Sequence, residues 1–244
     1  IEPSNSEAQE GIAWAARTEE ESHWTAVYEG PSPDNQALTG WLGSPGLEGE
    51  WGVQGETLVG KPTTAPQTLL VLMRKTTENL RVRFDVQGYD GRPGNSFGFF
   101  LASDPRGWEH GDPQAPGYVC GTGYLVRFRE DRVDVVRMGD MSHPMREGPL
   151  PALPGTDGWM HVDIERMRDR FIVSVASEKD TSPRVLECAD PQPLETREGG
   201  VHDYCGFYWW SAPRDAVRFH GIHVSTRDVA LAVFATTMSL VAVF

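Results

Sequence analysis

Residues 80–87 alternate strictly. Leu80, Val82, Phe84 and Val86 are apolar, and Arg81, Arg83, Asp85 and Gln87 between them are polar. Successive side chains on a strand point to opposite faces, so this stretch predicts a strand with one buried and one solvated side. The run QTLLVLMR at 67–74 is apolar almost throughout, as expected of a strand covered on both faces. Shorter patterned runs predict strands at 38–42, 51–53, 57–60, 95–102, 184–188, 204–210 and 216–226. Two hairpins are predicted as well. One joins 118–129 to 132–138 around Glu130 and Asp131, and the other joins 159–166 to 171–176 around Arg168 and Asp169. Turn signals such as YDGRPG at 89–94 separate the runs, and 103–117 and 139–156 read as long loops. Gly98, inside the 95–102 run, marks a bulge or a close backbone approach. About a dozen short strands with no internal helix are the signature of a sandwich or barrel.

The two ends depart from this pattern. Residues 1–37 are polar and acidic and read as an extended arm that packs through Trp14 and Trp24. Residues 229–244, VALAVFATTMSLVAVF, carry no charge, Gly or Pro. Val229, Leu231, Val233, Phe234, Met238, Leu240, Val243 and Phe244 supply much of the apolar surface, and Arg227 and Asp228 make a polar boundary before them. As a helix the sixteen residues reach about 24 Å, short of a hydrocarbon core of about 30 Å. In water such a segment is an aggregation hazard. The expected organisation is therefore an arm over 1–37, a β domain over 38–226 and a hydrophobic, helical tail over 227–244 that acts as a membrane anchor. A further core element and an appended artefact are the alternatives.

Charge narrows the partners. The net charge of -13 disfavours nucleic acid, whose phosphates need clustered Lys and Arg. The chain begins at Ile1 rather than Met, which fits a processed protein whose signal peptide is gone. Three cysteines, Cys120, Cys188 and Cys205, show no zinc spacing. Cys188 and Cys205 lie in two predicted strands and are open to pairing across them, which suits an extracytoplasmic protein; three buried free thiols are the other reading.

Several pieces resemble the concanavalin A-like jelly rolls, in the branch of laminin-G-like and 3-keto-disaccharide hydrolase domains. WGVQGETLVG at 51–60 resembles an opening W-x-V-x-x-G-x-L-V motif. Leu80 to Val86, the Gly94-Asn95-Ser96 turn followed by Gly98, and Gly123-Tyr124 come in the family's order. Trp159 to Ile164 and Val217 to Val224 resemble its later strands. The resemblance spans about residues 38–226 and implies an all-β fold: a two-sheet antiparallel jelly-roll sandwich with one concave sheet. It also departs from the hydrolase pattern, because Leu125, Val126 and Arg127 follow Tyr124 where that branch carries an acidic residue. The fold carries over, and the catalysis does not.

Candidate chemistry is sparse. Positions i and i+2 share a strand face, so His161, Asp163 and Glu165 project together, as an acid/base pair with a helper His or as a solvated face. Asp104, Glu109 and Asp112, with His110 among them, make an oxygen-rich loop of the kind that holds Ca²⁺, but the spacing matches no defined calcium loop. Trp108, Tyr118, Tyr204, Trp209 and Trp210 form an aromatic set suited to stacking on sugars or anchoring an interface. Adjacent Trp209 and Trp210 must face opposite ways, so at most one faces the core. His220 and His223 fall on opposite faces of a regular strand and cannot chelate one metal together. No nucleophile elbow, phosphate loop or dinucleotide fingerprint is present, and no cofactor is expected.

The reading is an extracytoplasmic interaction module, periplasmic or at the cell surface, attached to a membrane through its tail. It serves as an accessory or structural subunit of a membrane protein complex or binds a glycan. A carbohydrate-active hydrolase of the keto-disaccharide type is the alternative.

Overall fold

The computed structural model describes residues 23–31, 41–43, 49–62, 67–72, 76–103, 123–138, 140–194, 204–210 and 216–227. All regular structure among them is strand, arranged in two antiparallel sheets. Sheet A runs in the order β13 (Arg184–Ala189), β12 (Arg170–Ser177), β11 (Met160–Met167), β6 (Asn79–Gln87), β15 (Val217–Thr226), β4 (Thr57–Pro62) and β3 (Gly49–Gln54). Another strand, β1 (Thr25–Gly30), also pairs with β15, beyond the end of the β4 pairing. Sheet B runs β10 (Arg146–Pro149), β9 (Arg132–Arg137), β8 (Tyr124–Arg129), β7 (Ser96–Ser103), β14 (Tyr204–Trp210), β5 (Gln67–Leu72) and β2 (Trp41–Gly43).

The period-2 pattern explains how the sheets pack. Leu80, Val82, Phe84 and Val86 of β6 are buried, and the arginines between them are only half-buried. The inner faces meet in an aromatic core. Phe207 lies 5.1 Å from Phe99 beside it in sheet B, and 5.2 Å from Phe84 and 4.3 Å from Phe219 across in sheet A. Gly98 is a close approach rather than a bulge. A Cβ there would lie 2.4 Å from the Val126 carbonyl oxygen of the neighbouring strand, and its pairing with β8 is regular.

Three expectations change. Residues 25–30, placed in the extended arm, are a strand of sheet A. Residues 146–149, placed in a loop, pair with β9; REGP carries no apolar pattern because it lies at a sheet edge. Cys188 and Cys205 are both free thiols and are not partners, because β13 lies at the edge of sheet A and β14 inside sheet B. Burial raises both: Cys188 to about 11, and fully buried Cys205 further.

One end of the core is polar. Arg166 takes an inward position on β11 and is 1% exposed. Its guanidinium donates to the carbonyls of Arg168 (2.9 Å) and Leu194 (3.0 Å) and sits 4.9 Å from the Tyr124 ring centroid. The Tyr124 hydroxyl donates to Asp190 at 2.7 Å and accepts from the Leu194 amide at 2.7 Å. Arg137 donates to Asp190 at 2.8 and 2.5 Å. These bonds clasp residues 190–194 over the end of the sandwich.

Candidate functional site

The outer faces of the two sheets differ. On sheet B, alternation puts Phe100, Leu125, Val136, Tyr208 and Asp134 opposite the core face, yet none is more than 5% exposed. Asp134 is held there by Arg127 at 2.7 Å and Arg129 at 2.8 Å. The outer face of sheet A is open and polar, and its side chains fall into cross-strand rows.

Pairing register sets those rows. His161 of β11 stands opposite Asp85 of β6, which stands opposite His220 of β15. In the next row Asp163, Arg83 and His223 align, and beyond them Glu165, Arg81 and Ser225. On the other side of β11, Ala176 and Ser174 of β12 face His161 and Asp163. His161, Asp163 and Glu165 thus project together, as their spacing requires.

The histidines of β15 correct the sequence expectation. The register slips between His220 and His223, where Gly221 and Ile222 together oppose Phe84. Gly221 has φ of 57°, the left-handed conformation of a bulge glycine. The extra residue keeps Phe219, Ile222 and Val224 in the core and brings His220 and His223 to the same outer face. Among the described residues, no group of three or more His, Cys, Asp or Glu side chains is placed to hold a metal ion.

Ion pairing sorts this face into engaged and open groups. Asp163 accepts from Arg81 at 2.8 and 3.2 Å and from Arg83 at 3.1 Å. Glu165 lies 4.0 Å from the same Arg81. Both candidate acid/base carboxylates are thus paired with arginines. His161 Nδ1 lies 2.7 Å from Asp85 Oδ1, with the imidazole 53% exposed. His223 lies 3.3 Å from Glu29. Arg83, Asp85, His161, Asp163, Ser174 and Gly221 line a shallow depression of about 270 Å³. Beside it the half-buried Trp159 ring packs 5.9 Å from the His220 ring.

Of the aromatic set, Trp209 is fully buried on the inward face with Cys205 and Phe207, so it belongs to the core and offers no ring to a ligand. Tyr204 is half-buried at the start of β14. The Trp210 side chain lies outside what the structure describes, as do Trp108, Tyr118, Asp104, Glu109, Asp112 and the tail 229–244. Asp85, Ser174 and Trp159 belong to the site and were not among the sequence candidates. Asp85 and Trp159 had a legible signal: the polar parity of 81–87, and a Trp two residues before His161 on the same parity. Ser174 carries none.

No family model matches the chain, and no curated protein matches it in sequence. Solved structures do. The Lotus tetragonolobus seed lectin matches with a TM-score of 0.58 at 11% identity, over 84% of this chain and 99% of the lectin. Lectin II from Ulex europaeus matches with a TM-score of 0.55 at 8% identity, over 83% of this chain and 100% of that one. The carbohydrate recognition domain of Emp46p matches with a TM-score of 0.53 at 10% identity, over 81% of this chain and 95% of that domain. At such identity the likeness carries the fold and does not reach the hydrolase branch that the motifs resemble. The chain has the concanavalin A-like β-sandwich fold that these structures share.

Proposed function

We propose that this protein is a carbohydrate-binding module whose ligand lies on the outer face of sheet A. The observation that carries the reading is the half-buried Trp159 ring beside the polar depression around Asp85 and His161. Sugar rings bind through an apolar face laid on an aromatic ring and hydroxyls directed at planar polar groups, and this face offers both. Solved neighbours support it by their own ligands: the lectin UEA-II is complexed with galactose and a lectin from Bauhinia forficata with GalNAc. Hydrolysis through Asp163 and Glu165 is less well supported, because Arg81 engages both.

The test is a glycan array followed by titration. The protein retains at least one glycan, and Trp159→Ala weakens binding about tenfold or more, equal to about 1.4 kcal/mol. No retention, or an unchanged variant, overturns the reading.

The apolar run 229–244 supports a second element of the proposal, a tether that presents the module at a membrane outside the cytoplasm, singly or as a subunit of a membrane complex. On fractionation the chain is expected with membranes, and the chain lacking 229–244 in the soluble fraction. Soluble recovery of both removes the tether.

A further inference from the structure

We infer that the free edge of β13 is an interface on which a second copy of this chain adds its own β13, antiparallel, to make one continuous sheet. β13 ends sheet A on the side away from β3 and β1. Its register with β12 is unbroken, and one step beyond it the Asp190 amide donates to the Asp169 carbonyl at 2.7 Å. Hydrogen-bonded pairs alternate along an antiparallel ladder. Counting back from Asp190, Cys188, Leu186 and Arg184 turn their backbone groups toward β12. Val185, Glu187 and Ala189 turn theirs outward, and no described strand lies beyond them. All three residues are exposed. Native sheet edges are commonly blunted by Lys, Pro, a bulge or shortness. The edges of sheet B follow that rule: β2 has three residues, and β10 has four and ends at Pro149. β13 has six residues, RVLECA, with no Lys, no Pro and no bulge. It also carries Val185, which at 56% is the one exposed large hydrophobic side chain among the described residues.

This edge is complementary to itself. A two-fold axis at Leu186 sets Val185 against Glu187 of the second copy, and Glu187 against its Val185, each pair exchanging both ladder bonds. A shift of two residues one way opposes the two Glu187 carboxylates. The same shift the other way opposes Glu187 to Pro183, which has no N–H to give. A shift of one residue turns inner side chains to the outer face. One register therefore remains. In it the half-buried Ile172, which stands beside Glu187, shares a row with Val185 of the second copy, so apolar surface left open by each chain is covered. Arg170 lies 3.8 Å from Glu187, so that carboxylate enters the contact with a counter-charge. The axis stands perpendicular to the sheet, so both depressions open on the same side, roughly 25–35 Å apart by strand spacing. A surface that displays many ligands is then gripped at two points. Only this gain rests on the carbohydrate-binding reading.

The test uses the full chain in a mild detergent that covers the apolar run 229–244. Two short strands bury less than a standard interface, so the dimer is expected with a Kd of about 10–100 μM. Sedimentation should show the mass of two chains above that range and of one chain below it. Amide exchange across 184–189 gives the local readout: the Val185 and Glu187 amides should exchange at least about tenfold more slowly in the dimer. Val185→Asp sets like charge against Glu187 of the second copy, and Val185→Pro deletes an outward N–H without touching a bond to β12. Both are expected to abolish the dimer mass and the protection with circular dichroism unchanged, and the wild-type exchange decides the matter even if a variant fails to fold. A single-chain mass at every concentration overturns the inference. So does a dimer whose Val185 and Glu187 amides exchange freely, or protection that both folded variants retain. None of these results bears on the carbohydrate-binding reading, which the glycan array tests separately.

Discussion

Truncating Phe207 to alanine is expected to cost the fold about 3–5 kcal/mol. Phe207 is fully buried, and its ring joins the two sheets. It lies 5.7 Å from Trp41 and 5.1 Å from Phe99 within sheet B, and 5.2 Å from Phe84 and 4.3 Å from Phe219 in sheet A. Removing the ring forfeits its transfer from water and opens a void among four aromatics. The strands around it are tied into ladders on both sides, so the void cannot collapse fully. Urea unfolding checks this: the midpoint should fall while the slope stays unchanged. A loss under about 1 kcal/mol would show that the core repacks around the hole.

The second large effect is at Asp190. Replacing it with alanine leaves Tyr124, Arg137 and the Gln192 amide without their acceptor. The carboxylate is 3% exposed. Loss of a buried partner costs about 3–5 kcal/mol, and the partial exposure of Arg137 lowers the expectation to about 2–4 kcal/mol. This contribution also depends on pH. Burial pushes the Asp190 carboxyl upward, but hydrogen bonds from Tyr124, Gln192 and Arg137 and the Arg137 charge outweigh it, so its pKa lies below the ordinary 3.8. A depressed folded value means that the stabilisation is fully present above the unfolded pKa and is lost as pH falls through the folded one. The stability gap between wild type and Asp190→Asn should therefore be wide at pH 7, begin to narrow below about pH 4 and close only as pH falls through the depressed folded value. A gap of equal size at both pH values would show that the charge on Asp190 contributes nothing.

Much of the fold could be read from hydrophobic parity. The 80–87 strand, the hairpins at Glu130 and Arg168 and the strands at 57–60, 204–210 and 216–226 follow from alternation and turn residues, because one sheet face is always buried. Parity failed where that condition fails. REGP at 146–149 forms an edge strand without an apolar signature. Arg166 occupies an inward position because carbonyls and aromatic rings satisfy it, which no local pattern announces. The site was legible one strand at a time. His161, Asp163 and Glu165 share a face by spacing alone, but their ion-pair partners Asp85, Arg81 and Arg83 lie about 80 residues earlier, and only the pairing register brings them together. The bulge at Gly221 escaped because a glycine in a strand does not say on its own whether the chain slips there.

The position of β15 has a consequence for biosynthesis. It is the last of the described strands in sequence yet lies inside sheet A, between β6 on one side and β4 and β1 on the other. Thr25 pairs with Thr226, so the first described strand waits for the last. Until 217–226 has left the ribosome, Phe84 and Phe207 lack the Phe219 ring that covers them, and β1 has no neighbour. Until that strand emerges, the nascent domain thus carries unpaired strand edges and bare aromatic surface, and closing the sandwich depends on long-range pairing.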